Sequence, residues 1–176
     1  MSSPTCTRCG RALKDPASIK RGMGPVCAAK QAIAEGADNE QPVLLGAGAL
    51  GEVGLVCKRL ADGRLATNIA QRFVWHSPTG FECGYGGSGP ADLALNVLAA
   101  LVPVGSDGAE GWTIYDGQKV SATAGLLHQD FKDTFIARLP QKGGTVPIEE
   151  IRNWLDGRRA ERQFRERMEP YLPVQV

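Results

Sequence analysis

The sequence predicts an α+β protein: a small zinc knuckle followed by a short antiparallel sheet packed against two or three helices. Three observations support this class. A pair of closely spaced cysteines opens the chain, 22 glycines and 11 prolines among 176 residues indicate more turns than a helical bundle uses, and 43% hydrophobic residues suffice for a core. The formal net charge of +1 argues against a uniformly basic coat for nucleic acid.

No apolar run reaches the roughly 20 residues that a membrane-spanning helix needs. The first residues lack the basic start and apolar stretch of a secretory signal. We therefore expect a cytoplasmic protein with no membrane partner. Five cysteines, an odd number, also argue against a disulfide framework.

The first element is a candidate metal site. Cys6 and Cys9 form a C-x2-C pair followed by Gly10, and two thiolates at this spacing can face one tetrahedral ion. Cys27 follows Pro25, which suits the first turn of a short helix. A redox pair is the alternative, but such a pair normally follows a strand, and no candidate strand precedes Cys6.

The three cysteines Cys6, Cys9 and Cys27 therefore predict a zinc site. A structural zinc ion takes four ligands, and the fourth is open. Cys57 is the first candidate, although its apolar context equally suits a buried structural cysteine. The alternatives are a water molecule or one of the side chains Asp15, His76 and His128.

The stretch from Cys6 to Cys27 resembles a small zinc-knuckle family that is frequent in phage and actinobacterial proteins. The pattern is C-x-x-C-G-R-x-L, then D-P-x-S, then G-x-G-P-x-C, and the chain matches each position. The resemblance implies metal binding, and no function is established for that family.

Charge divides the chain into unequal parts. Residues 1–30 carry six basic residues and one acidic residue, residues 31–150 sum to −6, and residues 151–176 carry six arginines and four acids. We predict a knuckle at 1–30, a linker at 31–42, an α+β body at 43–157 and a charged helix with a tail at 158–176.

The body begins with strand-like segments. We predict strands near 52–59, 71–76 and 80–85, of which the last two form a hairpin. The helix at 90–101 has Pro90 in its first position and Asp92 in its first turn. Asp116-Gly117 predicts a second hairpin over 112–121.

Apolar residues at helical spacing predict an amphipathic helix over 122–139. A last helix begins at Thr145-Val146-Pro147, and Gly157 is expected to interrupt it before the arginine-rich end.

Four residues before the helix at 90–101, Gly86, Gly87, Ser88 and Gly89, form a possible anion site, because a glycine-rich loop at a helix start exposes backbone amides. The loop lacks the lysine of a nucleotide-binding P-loop. The alternative is that the glycines only shape a tight turn. No catalytic residue is predicted, because neither histidine, His76 or His128, belongs to a recognisable catalytic motif; an enzyme is the less favoured class.

The segment from His76 to Leu95 resembles the signature of a small phage-associated family of unknown function, H-S-P-T-G-F-E-x-G-Y-G-G-S-G-P. The similarity extends over about residues 43–157, with 105–121 as an insertion. That family usually has Trp where this chain has Cys83, which favours a core position for Cys83.

Three functions compete. The first is a phage or mobile-element accessory protein that contacts nucleic acid or a host nucleoprotein complex. The second is a protein-interaction inhibitor of a host defence system, comparable to an anti-CRISPR protein, in the cytoplasm of a bacterial host. The third is a binder of phosphate or small molecules through the glycine-rich loop. For the first function we expect binding through two basic clusters: Arg8, Arg11, Lys20 and Arg21, and Arg158, Arg159 and Arg162.

Overall fold

The computed structural model describes residues 4–34, 41–44, 46–77, 79–106, 111–115 and 117–168. The elements in chain order are α1 (Pro16–Arg21), α2 (Pro25–Ala34), α3 (Leu50–Val53), β1 (Gly54–Arg59), β2 (Leu65–Thr67), α4 (Ser88–Leu101), β3 (Trp112–Tyr115), β4 (Gln118–Ser121), α5 (Ala122–Thr134), a 3-10 turn (Ile136–Arg138), β5 (Gly143–Pro147) and α6 (Ile148–Met168). The predicted α+β class is confirmed.

Three strands form an antiparallel sheet in the order β2-β1-β5, so β1 is central. Cys57 of β1 pairs with Thr67 on one side and with Gly144 on the other. The β1 and β5 backbones approach so closely that a Cβ at Gly54 would lie 2.1 Å from the carbonyl oxygen of Val146. Because Gly54 also has a φ of +91°, only glycine fits there.

The hairpin predicted over 112–121 is confirmed as β3 and β4, which pair from Trp112↔Ser121 to Tyr115↔Gln118. Gly117 supplies the positive φ of the turn, at +80°. Asp116 lies outside the described residues.

One hydrophobic core joins the sheet to the helices. It combines Leu55 of β1 with residues of α4, α5 and α6, among them Leu95, Phe131 and Ile151, all 0% exposed. The rings of Phe131, Phe135 and Trp154 pack together with centroids 5.0 to 6.0 Å apart. All described members of this core lie between Leu50 and Leu155, and none comes from residues 4–34.

The hairpin predicted over 71–85 is wrong. The two segments form no strand, because their backbone N–H groups donate to side chains and to other loops instead of to each other. The side-chain oxygens of Asp92 and Asn96 in α4 accept hydrogen bonds from backbone N–H groups within residues 72–77. The side-chain oxygen of Gln41 accepts one from the backbone N–H of Phe81. Val74 and Phe81 are buried, whereas Trp75 and Tyr85 are exposed, so the β-forming residue types of this segment do not produce a strand here.

The predicted helix limits also need correction. α4 begins at Ser88, so Pro90 is its third residue and Asp92 lies beyond the first turn. α5 ends at Thr134 and continues only as the 3-10 turn, ahead of Pro140. Residues 145–147 belong to β5, and α6 runs through Gly157 without interruption.

The predicted division into knuckle, linker, body and tail stays a prediction. α2 extends to Ala34, and residues 35–40 of the predicted linker and 169–176 of the predicted tail lie outside the described residues. Within the described part of the chain, no helix is long and apolar enough to cross a membrane.

Candidate metal centre

Cys6 and Cys9 lie on a tight turn closed by backbone hydrogen bonds. The N–H of Cys6 donates to the carbonyl of Arg11 at 2.8 Å, and the N–H of Gly10 donates to the carbonyl of Cys6 at 2.9 Å. Gly10, directly after the C-x2-C pair, has a φ of +71°, a left-handed conformation that favours glycine. The turn therefore presents both thiols to the same side.

The third cysteine is brought to this turn by two short helices. Asp15 caps α1 by accepting the N–H of Ser18 at 2.8 Å, and Gly22 ends that helix with a φ of +73°. Pro25 then opens α2, as predicted, so Cys27 lies in the first turn of that helix. The N–H of Thr7 donates to the carbonyl of Gly22 and holds the two parts together.

The sulfurs of Cys6, Cys9 and Cys27 lie within 4.8 Å of one another, and those of Cys9 and Cys27 are 3.5 Å apart. Two thiolates on one tetrahedral zinc ion, each about 2.3 Å from it, lie about 3.8 Å apart. The three cysteines are free thiols, and this cluster can hold a metal ion.

The electrostatics of the three sulfurs differ. Backbone N–H groups, that of Gly24 first, lower the pKa of Cys6 to about 6. Burial, followed by hydrogen bonds to Cys9 and Cys6, raises the pKa of Cys27 to about 12. At neutral pH Cys6 is therefore ionised before a metal binds, whereas Cys27 must lose its proton when a metal binds.

Cys57, the first candidate for the fourth ligand, is not part of this cluster. It lies in the central strand β1, 5% exposed within the core. Burial, with the neighbouring Cys83 as a second cause, raises the pKa of Cys57 to about 12. Cys83 is 0% exposed and belongs to the same core, as the sequence favoured.

Two other candidate ligands have structural roles. The carboxylate of Asp15 caps α1. His128 is only 6% exposed, and its Nδ1 lies 2.7 Å from the carbonyl oxygen of Gly125. Burial lowers the pKa of His128, which keeps its imidazole neutral at physiological pH.

His76 and His128 are 52 positions apart in the sequence, but their side chains are in contact. Their Nε2 atoms are 3.2 Å apart, and their rings stack with centroids 5.4 Å apart. Gln129 lies beside both, with its amide nitrogen 3.0 Å from Nε2 of His128 and 3.4 Å from that of His76. Sequence reasoning missed this pair because no local spacing connects the two residues.

The N-terminal basic residues Arg8, Arg11, Lys20 and Arg21 are all exposed. Arg8 donates to the carbonyl of Cys27 at 3.3 Å, so its guanidinium also links the cysteine turn to α2. Arg21 lies near Asp15 and contributes to the lowered pKa of that carboxyl, after the hydrogen bonds from Ser18.

The C-terminal arginines are more strongly paired. Arg158 contacts Glu161 at 3.0 Å and Asp130 at 3.8 Å and lies over the ring of Trp154, while Arg159 contacts Asp156 at 3.4 Å. Arg162 lines a small cavity of about 140 Å³ with Leu126 and Leu127. The acidic partners of Arg158 and Arg159 reduce the positive field of this cluster.

The glycine-rich loop has a packing explanation. A Cβ at Gly87 would lie 2.2 Å from the ring of Tyr85, and one at Gly89 would lie 2.7 Å from Cβ of Glu82. Gly86 faces open space, and Ser88 opens α4. The loop therefore needs glycine at positions 87 and 89, where it packs against Tyr85 and Glu82. Anion binding by this loop stays a prediction.

The structure also reveals two positioning residues that sequence reasoning missed. Asp92, 0% exposed, accepts the backbone N–H groups of Trp75, His76 and Ser77, and Asn96 accepts those of Arg72 and Phe73. A sequence pattern could have identified them. Asp92 and Asn96 are polar residues four positions apart, so they lie on the same face of an otherwise apolar helix, where buried polar side chains need hydrogen-bond partners.

Comparisons with known proteins identify two families in the chain. Residues 1–32 match a family of unknown function, DUF6011, and residues 49–109 match another family of unknown function, DUF6166. No curated protein matches the chain, and no solved structure does. The two matches agree with the expectation that two families of unknown function are joined in this chain, while the zinc knuckle and the phage association stay predictions. Each match covers less than half of the chain, and neither description names a metal or a partner.

Proposed function

We propose that this chain is a zinc-binding accessory protein of a phage or mobile element, and that its N-terminal segment contacts nucleic acid or a nucleoprotein complex. The observation that carries the proposal is the cluster of three sulfurs within 4.8 Å on a segment whose arginines and lysines are exposed. The matched families are of unknown function, so they leave the assignment to the chemistry of these residues.

Zinc fits this donor set best among common cellular metals. Soft thiolates select zinc, copper(I) or iron–sulfur clusters, and a small tetrahedral site with short backbone turns around its cysteines is typical of structural zinc. Bound zinc would be held by Cys6, Cys9 and Cys27 and would supply folding energy to the segment, without chemistry of its own.

The segment depends on such a metal because it has few buried apolar groups. Of the side chains described in residues 4–34, the buried hydrophobic ones are those of Cys6 and Leu13. A piece of about 30 residues does not build a sufficient core by itself. Metal binding would replace that core.

Charge supports nucleic acid as the partner. Zinc with three thiolates carries one net negative charge, which removes little of the positive charge of residues 1–30. Arg11, Lys20 and Arg21 remain exposed on a small surface, where they can neutralise phosphates and release counterions.

The test is binding of the zinc-loaded chain to mixed oligonucleotides at two salt concentrations. The double variant Arg11→Glu/Arg21→Glu should weaken binding without regard to base sequence and reduce the slope against salt by about 2, one for each lost phosphate contact. The matched control is Arg64→Glu/Arg72→Glu, which makes the same charge change on exposed residues outside the N-terminal segment and should have a smaller effect.

Binding that is equally tight for parent and Arg11→Glu/Arg21→Glu at both salt concentrations would overturn the nucleic-acid assignment. In that case the alternative function, inhibition of a host defence system by protein contact, becomes the better proposal. An exposed basic surface also fits an acidic protein partner.

A further inference from the structure

The three cysteines share their cavity with a residue from the other matched region. Trp75 and His76 line the same cavity, of about 890 Å³, as Cys6, Cys9 and Cys27. Structural zinc sites use four protein ligands, and Cys₃His is one of the common sets. Cys57 and His128 do not line this cavity, and the carboxylate of Asp15, which does, caps α1.

The hydrogen bonds around His128 determine which of its nitrogens carries the proton. Nδ1 lies 2.7 Å from the carbonyl oxygen of Gly125, which can only accept, so Nδ1 is the donor. Lys132 donates to Oε1 of Gln129 at 2.9 Å, which directs the amide N–H₂ of Gln129 at Nε2 of His128. Nε2 of His128 therefore carries a lone pair.

That lone pair can accept a hydrogen bond from His76, whose Nε2 lies 3.2 Å from Nε2 of His128. The amide nitrogen of Gln129 lies 3.4 Å from the same atom of His76 and competes as a donor to it. Metal binding through Nδ1 requires the tautomer in which Nε2 of His76 donates to His128, because the lone pair of the neutral imidazole is then on Nδ1. A metal-binding histidine characteristically donates its second N–H to a neighbouring group in this way, which fixes the tautomer and orients the ring.

The backbone of His76 is held in place by α4. Its N–H donates to Oδ1 of Asp92 at 2.8 Å, and the N–H groups of Trp75 and Ser77 donate to the same carboxylate. His76 is not within 4.8 Å of all three sulfurs. Ligation therefore requires the cysteine cluster and the imidazole to move closer together.

We propose that His76 is the fourth ligand of the metal centre, through Nδ1, with His128 as the residue that orients it. The inference rests on the proposed zinc binding by Cys6, Cys9 and Cys27. Its consequence is structural: one metal ion would connect residues 4–34 to residues 50–155, although the two parts share no hydrophobic core among the described residues.

The test is nuclear magnetic resonance of the full chain loaded with cadmium-113 and labelled with nitrogen-15 in its two histidines. We expect scalar coupling from cadmium to the β-protons of three cysteines and to Nδ1 of one histidine. That histidine signal should be absent in His76→Ala, which assigns it, and the backbone amide spectrum of the same variant shows whether the fold is kept.

Cadmium coupled to three cysteines and to no histidine would overturn this inference and leave the proposed zinc site intact. Absence of coupling to any cysteine would overturn both. Because the decisive spectrum is that of the parent chain, the result does not depend on whether a variant folds. As a second measurement, competition with a chelator should show zinc affinity at least about tenfold lower in His76→Ala, since even the loss of an outer partner costs about 10–100-fold.

Discussion

Residues 4–34 and residues 50–155 are held together by different means. Among its described residues the second region buries twenty hydrophobic ones in a single cluster. Of the described side chains in the first region, the buried hydrophobic ones are those of Cys6 and Leu13. Hydrophobic burial stabilises a region in proportion to the area removed from water, so it contributes little to the first region. The difference supports the proposal that a metal bound by the three cysteines stabilises the N-terminal segment, whereas the body is stabilised by its core.

The cysteines show the same contrast within one residue type. Cys6, Cys9 and Cys27 converge on turns and a helix start, where backbone amides lower the pKa of Cys6. Cys57 and Cys83 lie in the core, where burial raises the pKa of each. A cysteine acts as a metal ligand or as a small hydrophobic residue according to its surroundings.

The largest expected effect is the loss of zinc. Cys9→Ser should abolish stoichiometric zinc, because the site then keeps two thiolates and at most the proposed imidazole of His76, fewer than the four ligands of a structural zinc site. Metal analysis of protein purified without chelator measures this directly. Cys57→Ala is the matched control and should keep its zinc, while lowering the stability of the body. Full zinc retention in Cys9→Ser would show that the cluster is not the site.

A cavity in the core should affect the body far more than the metal centre. Phe131 is 0% exposed and packs against Phe135 and Trp154. Phe131→Ala should lower the free energy of unfolding by about 3–5 kcal/mol, measured by urea denaturation. Under conditions in which the body remains folded, zinc stoichiometry should stay that of the parent; a loss of zinc would break the contrast between the two regions.

The buried carboxylate of Asp92 should contribute less than Phe131. In Asp92→Asn, three backbone N–H groups lose a carboxylate acceptor. One of its two oxygens is replaced by an amide NH₂ group, which is a donor and faces these N–H groups. We expect unfolding to require about 2 kcal/mol less free energy. Asp156→Asn, an exposed acid on α6, should change it by about 0.5 kcal/mol or less. Equal effects of the two variants would contradict the positioning role of Asp92.

The smallest expected effect is a change in proton release on zinc binding. Because the pKa of Cys6 is lowered to about 6, its thiol is already ionised at pH 8 and protonated at pH 5. Cys27, with a pKa of about 12, is protonated at both. Zinc uptake by His76→Ala, in which no proton comes from the proposed fourth ligand, should therefore release about one proton more at pH 5 than at pH 8, and acid should weaken zinc binding.

Calorimetry in buffers of different ionisation enthalpy measures this release. An equal number of protons at the two pH values would show that the backbone amides do not lower the pKa of Cys6.

Sequence reasoning predicted what local patterns encode. The C-x2-C turn with Gly10, the helix opened by Pro25 and the hairpin at Asp116-Gly117 each depend on residues close in sequence. It failed where distant groups compete for the backbone. The strand expected over 71–76 does not form, because Asp92 and Asn96 of α4 accept its N–H groups. The strand expected over 80–85 does not form either, and there Phe81 donates its N–H to Gln41 and Gly84 donates its N–H to Ile136.

The pairing of β5 with β1 could not be predicted from local sequence patterns either, because it joins residues about 90 positions apart. The same holds for His76 and His128, which only the folded chain brings to 3.2 Å. Cys57 was placed among the ligands by its residue type, and only the sheet shows that it belongs to the core.

The most direct test of the central claim is amide hydrogen exchange of the zinc-loaded chain before and after removal of the metal by a chelator. We predict that protection in residues 4–34 falls to that of an unfolded chain, while β1 (Gly54–Arg59) and α4 (Ser88–Leu101) exchange as before. Retained protection of residues 4–34 without metal, or loss of protection in both regions together, would contradict the account.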